Sequence, residues 1–221
     1  MAAKLKPAKA VAHERADGTV WIDHAEVSGE DLNWLRDVGS LILWNVRLPD
    51  GFLSCLPRLS ALDLRGGSGE TLNLLYGVGG LEYLAVNQVR GLRDASALSS
   101  LSSLRLLSLY GLPRLHHLPS LSGLPLLQRA ELGMLGSLSS LLPVLDAPQL
   151  SELLLLKDIP VSPVDVQRIN AHPTMKMFDW IADDVPQRKS APVRSQVTLA
   201  KVKPLFPEEW LRLNPPDGRS Q

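Results

Sequence analysis

Reactive side chains are few in this sequence and poorly placed for chemistry. Cys55 is the only cysteine. It sits in Leu53-Ser54-Cys55-Leu56-Pro57 and reads as a small core or near-core residue rather than a thiol nucleophile. His116 and His117 are adjacent, so their rings point in different directions, and no Cys or carboxylate stands at ligand spacing. They read as a surface pair, not a metal site. His24 beside Asp23 and His13 beside Glu14 read as ordinary cap or tail residues. Gly66-Gly67-Ser68-Gly69 lacks the Lys-Ser/Thr pair and the following helix of a phosphate-binding loop. Glu70 stands where a Gly-x-Ser-x-Gly elbow needs its last glycine, so this stretch reads as a turn. No catalytic residue, cofactor site or metal site emerges. A cysteine or histidine enzyme is the weaker alternative to a binding protein.

Composition agrees. The 221 residues carry 23 basic and 23 acidic side chains. A net charge of zero argues against a nucleic-acid partner, which selects a basic surplus. Hydrophobic residues make up 45% of the chain and aromatics only 5%. Leucine accounts for the difference, with 45 occurrences, a density that excludes a disordered chain. A single cysteine excludes a disulfide scaffold. Met1 to Ala10 has no apolar core of a secretory signal, and no run approaches the ~18 apolar residues of a membrane helix. The expectation is a cytoplasmic protein with no membrane partner, although export without a cleaved signal is compatible with the same ends. Charge is uneven: residues 1–18 and 186–221 are net basic, and the body between them is net acidic. Such ends are solvated, or they fold onto the body or onto an acidic partner.

The elements that hold these residues follow from one spacing. Apolar residues at i, i+3 and i+5 recur at Val38/Leu41/Leu43, Leu59/Leu62/Leu64, Leu81/Leu84/Val86, Leu104/Leu107/Leu109, Leu127/Ala130/Leu132, Leu150/Leu153/Leu155 and Met175/Phe178/Trp180. The starts are separated by 21, 22, 23, 23, 23 and 25 residues, a period typical of repeat architectures. Residues two apart share one face of a strand. After each strand the apolar spacing changes to threes, as in Leu112, Leu115, Leu118, Leu121 and Leu124. That suits tight 3₁₀-like or extended returns better than long α-helix. A single coil buries too little apolar surface to offset its own ordering, so the coils must stack.

The segments LSALDL (59–64), LEYLAV (81–86), LRLLSL (104–109), LQRAEL (127–132) and LSELLL (150–155) resemble the leucine-rich repeat family, in its short bacterial form of about seven coils. The resemblance covers residues 38–182. It implies an α/β solenoid with a parallel β-sheet on the concave face and short irregular or 3₁₀ returns on the convex face. It implies no particular activity, because the family hosts many unrelated binding roles. The chain departs from the family at the ninth position of the coil, where many members carry a ladder of asparagines. Val46, Gly67, Val89, Leu112, Leu135 and Asp158 stand there. Backbone or water must then satisfy the corner groups, and looser, more variable corners are expected.

The predicted organisation is a flexible segment over 1–18, an N-terminal cap over 19–37, the solenoid over 38–182 and a C-terminal cap or tail over 183–221. Val20 and Ile22 alternate as a short strand, and Ser28 with Asp31 resembles a helix-start capping pair. Phe178 and Trp180 are expected to close the last coil. Val197 and Leu199 alternate weakly. Pro207-Glu208-Glu209-Trp210-Leu211 reads as a short helix with proline in its first turn and acids near its N-terminus, ended by Pro215-Pro216-Asp217-Gly218. Trp210 and Leu211 belong to a docked cap, or to a motif that docks on a partner.

If the repeated leucines point inward, the alternate strand residues form the concave surface, where solenoids usually bind. That face takes Trp44, then Ala61, Asp63 and Arg65, then Tyr83 and Asn87, then Leu106, Ser108 and Tyr110. Arg129 and Glu131 follow, then Glu152, Leu154 and Leu156, then Met177 and Ile181. Tyrosine, tryptophan and arginine are enriched at binding hot spots. We therefore read Trp44, Asp63, Arg65, Tyr83, Asn87, Tyr110, Arg129, Glu131 and Glu152 as partner-binding residues. Trp44, Tyr83 and Tyr110 are expected to form a diagonal aromatic strip, with Arg129 and Glu152 at its rim. The aliphatic patch at Leu154, Leu156, Met177 and Ile181 needs a cover, and the tail is the first candidate. The expected function is a monomeric, non-catalytic module that binds an unidentified protein. The alternatives are a secreted effector binding a host protein by the same face, and a self-assembling structural protein.

Overall fold

The computed structural model describes residues 5–215. The chain starts with strand β1 (Lys6–Pro7), helical turn α1 (Ala8–Val11), β2 (His13–Glu14), β3 (Val20–Asp23), β4 (Ala25–Glu26) and helical turn α2 (Leu32–Leu35). The repeated strands follow as β5 (Ser40–Trp44), β6 (Ala61–Arg65), β7 (Tyr83–Asn87), β8 (Leu106–Tyr110) and β9 (Arg129–Gly133). A helical turn α3 (Leu142–Leu145), β10 (Glu152–Leu156), α4 (Pro163–Ala171) and β11 (Met177–Ile181) complete the coils. Helices α5 (Gln187–Gln196) and α6 (Pro207–Leu213) form the tail.

All seven expected strands are present and pair in parallel without a register slip: Leu41, Leu62, Leu84, Leu107, Ala130, Leu153 and Phe178 lie in one row. The sheet is nevertheless larger than expected. It has nine strands, because β3 adds in parallel beside β5 and β2 closes the edge antiparallel to β3. The alternating strand read at Val20 and Ile22 is thus a member of the sheet. Residues 1–18, expected as a flexible segment, carry two short strands and a helical turn from Lys6 to Glu14. The fold is a leucine-rich-repeat-like solenoid.

Its core is a continuous leucine stack running through every coil, from Ile22 to Trp180. The Gly111–Gln128 return has no helix, and its leucines at 112, 115, 118, 121, 124 and 127 are all buried. Other returns use short 3₁₀ turns, such as Leu53–Cys55 and Asn73–Leu75, or the single α-helical turn α3. The return before β11 departs from this pattern. It is a nine-residue α-helix, α4, started by Pro163 and by a capping box in which Ser162 and Asp165 exchange hydrogen bonds. The Ser28/Asp31 pair forms the capping box predicted for the N-terminal region.

The corners correct the sequence reading. They are neither loose nor variable. The residue after each of β5 to β10 adopts a left-handed conformation: Asn45, Gly66, Gln88, Gly111, Met134 and Lys157 have φ of 52, 63, 53, 68, 49 and 59°. Each donates its N–H to a carbonyl of the next coil, as in Asn45 to Arg65 (2.9 Å), Gln88 to Tyr110 (2.8 Å) and Lys157 to Ile181 (2.8 Å). His24 does the same to Trp44 at 2.8 Å. A backbone ladder therefore takes the place of an asparagine ladder. Apolar residues then turn inward, with Val89, Leu112 and Leu135 all buried.

This geometry has an energetic signature. A left-handed residue with a Cβ is strained by about 1–2 kcal/mol, and glycine relieves most of that. Met134→Gly is expected to raise the unfolding free energy by about 0.5–1 kcal/mol in chemical denaturation. Gly111→Ala is expected to lower it by about 1–2 kcal/mol, because its new Cβ also meets the Gln88 side chain at 3.2 Å.

Candidate functional site

Strict register turns the concave side of the sheet into three straight rows. One runs Ser40, Ala61, Tyr83, Leu106, Arg129, Glu152, Met177. The middle row runs Trp21, Ile42, Asp63, Ala85, Ser108, Glu131, Leu154, Asp179. The third runs Trp44, Arg65, Asn87, Tyr110, Gly133, Leu156, Ile181. All nine residues read as a binding set lie in these rows. They do not form one site, because the C-terminal segment divides the face.

The notch side of the N-terminal half, along Trp44, Arg65 and Asn87, is open, whereas Ser40, Asp63 and Tyr83 share a cavity with Phe206, Pro207 and Glu208. Trp44 stacks on Trp21 with ring centroids 6.1 Å apart and planes 11° from parallel. The guanidinium groups of Arg15 and Arg65 lie 4.9 and 5.9 Å from the Trp21 ring centre, in cation–π range. Arg65 also donates from Nε to Asp63 Oδ2 at 2.8 Å, and Asn87 Nδ2 donates to Asp63 Oδ1 at 3.1 Å. Asp63 is buried, so these bonds satisfy a carboxylate that would otherwise be costly. The hydrogen bond that Arg65 donates to Asp63 raises the guanidinium pKa, and burial only partly opposes it. Trp44, Arg65, Gly66, Asn87, Gln88 and Tyr110 enclose a shallow notch of about 380 Å³. Tyr110 lies across Gly133, where a Cβ would collide with its ring.

The expected aromatic strip is not formed. Trp44 and Tyr110 share a row but are separated by Arg65 and Asn87, and Tyr83 stands in a different row. Trp44 instead pairs with Trp21, which the sequence reading left in a cap. A signal for it existed: Val20 and Ile22 precede Leu41 and Leu43 by 21 residues, which is the repeat interval.

The C-terminal half is covered. Arg129 and Glu152, expected at an accessible rim, are 1% and 6% exposed. Arg129 holds Glu131 through Nε and Nη2 at 2.8 and 2.7 Å, and Glu152 through Nη1 at 2.7 Å. It also donates twice to the Lys203 carbonyl, each at 3.2 Å. The free oxygen of Glu152 accepts from Trp210 Nε1 at 3.1 Å, and the Arg105 guanidinium lies 5.9 Å from the Trp210 ring centre. Trp210 is 1% exposed. Leu106 points to the concave side yet is fully buried. The helix read at Pro207 is α6, whose first turn holds Pro207, Glu208 and Glu209. Its expected stop lies, from Pro216 on, outside the described residues. The tail meets the aliphatic patch only in part: Ala200 forms a parallel bridge with Met177 and Leu154 is buried, but Ile181 stays 38% exposed.

The reactive residues remain apart. Cys55 is exposed, which corrects the near-core reading. Its 3₁₀ turn points Leu53 and the following Leu56 inward and leaves the thiol outside. His116 and His117 are exposed, with rings 6.5 Å apart, and His117 Nδ1 lies 2.9 Å from Ser139 Oγ. Among the described residues no group of three His, Cys, Asp or Glu side chains is placed to hold a metal ion. No helix among them is long and apolar enough to cross a membrane.

Tyr83 reports on the covered half. It shares the rim of a cavity of about 310 Å³ with Phe206, Pro207 and Glu208. Burial, reinforced by the charge of Asp63, raises its phenol pKa far above the ordinary value of 10.0. The folded chain keeps the phenol neutral while the unfolded chain ionises it near pH 10. Stability from this group is therefore complete below about pH 10 and is lost as pH rises above it. Tyr83→Phe is expected to flatten that alkaline loss by up to about 1.4 kcal/mol per pH unit, read by denaturant melts between pH 9 and 11.

No protein-family model matches the chain, and no curated protein matches it. Among solved structures, the chain is similar to an internalin from Listeria monocytogenes. The two are 18% identical, with 83% of this chain and 73% of that chain covered and a TM-score of 0.28. The superposition is loose, and the fold assignment rests on the in-register strands themselves.

Proposed function

We propose that the chain is a non-catalytic protein-interaction module that acts as a monomer and binds its protein partner at the open notch side of the N-terminal half of the concave face. The observation that carries this reading is the notch between Trp44 and Tyr110. Trp44 is 39% exposed in a prearranged stack on Trp21. Arg65 and Asn87 on its floor are oriented by Asp63. Aromatic walls with a fixed polar floor suit an apolar side chain that brings a hydrogen-bond acceptor. Because the sheet and the Asp63 bonds set the geometry in advance, little ordering is spent on association.

The test is affinity capture from lysate of the source organism, followed by titration of the captured protein. Wild type is compared with a Trp44→Ala/Asn87→Ala/Tyr110→Ala variant whose melt is still cooperative. Anchors of this type cost about 2 kcal/mol or more when truncated, so the expected result is a loss of affinity of at least about thirtyfold. Equal affinity of the two baits would place the partner elsewhere and contradict the proposal.

A further inference from the structure

The C-terminal segment makes few bonds to the face it covers, and those few are of a kind made to bound peptides. Its extended part presents one backbone carbonyl, Lys203 O, to both Nη1 and Nη2 of Arg129. One helical turn follows from Pro207 and delivers one aromatic side chain, Trp210, whose N–H ends on Glu152. The receptor side is held by bonds that do not involve the segment. Arg129 is already held by Glu131 and Glu152, and Arg105 by Glu82 Oε2 at 3.0 Å. Trp210 lies outside the continuous leucine core. The two ends of α6 are weakly committed, with Phe206 just before it 78% and Leu213 55% exposed. A cap that completed the solenoid would share its core; this segment lies across it instead.

We infer that the middle of the concave face is a receptor for a tryptophan-bearing, proline-flanked peptide, and that residues 203–213 fill it in cis. The recognition elements are Arg129 for a backbone carbonyl, Glu152 for the indole N–H and Arg105 for the indole face. A partner protein that presents the same three features displaces the segment and gains the whole length of the sheet. This rests on reading the concave sheet as the binding surface, and extends it from the open notch to the covered half. An intramolecular ligand on a short tether acts at an effective concentration near millimolar, so the intact chain resists weak competitors.

The probe is a fluorescent synthetic peptide of residues 203–214, titrated by anisotropy into the full chain carrying Trp210→Ala. Saturable binding is expected, at least thirtyfold tighter than to wild type, whose own segment competes. The same peptide with alanine at its tryptophan is expected to lose binding at least tenfold, as is the original peptide with a Glu152→Ala/Trp210→Ala double variant. Should Trp210→Ala fail to fold, Trp210→Phe keeps the ring and removes the indole N–H, and at least tenfold tighter peptide binding than to wild type is expected. Absence of peptide binding to a cooperatively folded Trp210→Ala or Trp210→Phe chain would overturn the inference, as would equal binding of the alanine peptide. The assay needs no partner protein. Its failure therefore leaves the notch reading standing, and failure of the notch variants to weaken partner binding leaves this one standing.

Discussion

Each coil closes with a left-handed residue whose N–H reaches the carbonyl of the next coil. That bond depends on backbone alone, so it can repeat whatever side chain the position carries, at the cost of strain wherever the residue is not glycine. It holds neighbouring strands at one register from β3 to β11. With register held, leucines of equivalent positions fall on one another, and the core becomes a column rather than a set of separate clusters. The functional face depends on the same bond. A slip of one residue would turn Trp44, Arg65 and Tyr110 into the core and leucines out to solvent.

Sequence reasoning found what this constraint makes periodic. The i, i+3, i+5 spacing locates every repeated strand and both faces of the sheet. Local signals also spoke for themselves: Ser28 with Asp31, and Pro207 with two acids after it. The corners escape this reading because backbone supplies the ladder that the side chains lack. Trp21 was missed because its strand lacks the leading leucine of the pattern, even though its offset from β5 fits the repeat.

The covered half was not legible, for a physical reason. The contact between Glu152 and Trp210 spans 58 positions and belongs to no period. Nothing in a short helix with one tryptophan says which surface it meets. The sequence offers only a weaker clue: a concave face carrying Arg129 and Glu152 in one row with Glu131 beside them in the next can satisfy buried polar groups. Cys55 shows the converse limit, since apolar neighbours in sequence say little about burial where a 3₁₀ turn rotates successive residues by about 120°.

The account divides one surface into an open notch and a region closed by the chain's own end. Amide hydrogen exchange of the full chain, resolved by segment, tests this most directly. Strands β5–β10 should exchange slowest and together, through global opening. Residues 203–213 should be protected by at least tenfold over an unstructured chain, yet exchange faster than those strands. Exchange of 203–213 at the unprotected rate would contradict the account, because Arg129 and Glu152 would then face solvent and the face would be open from end to end.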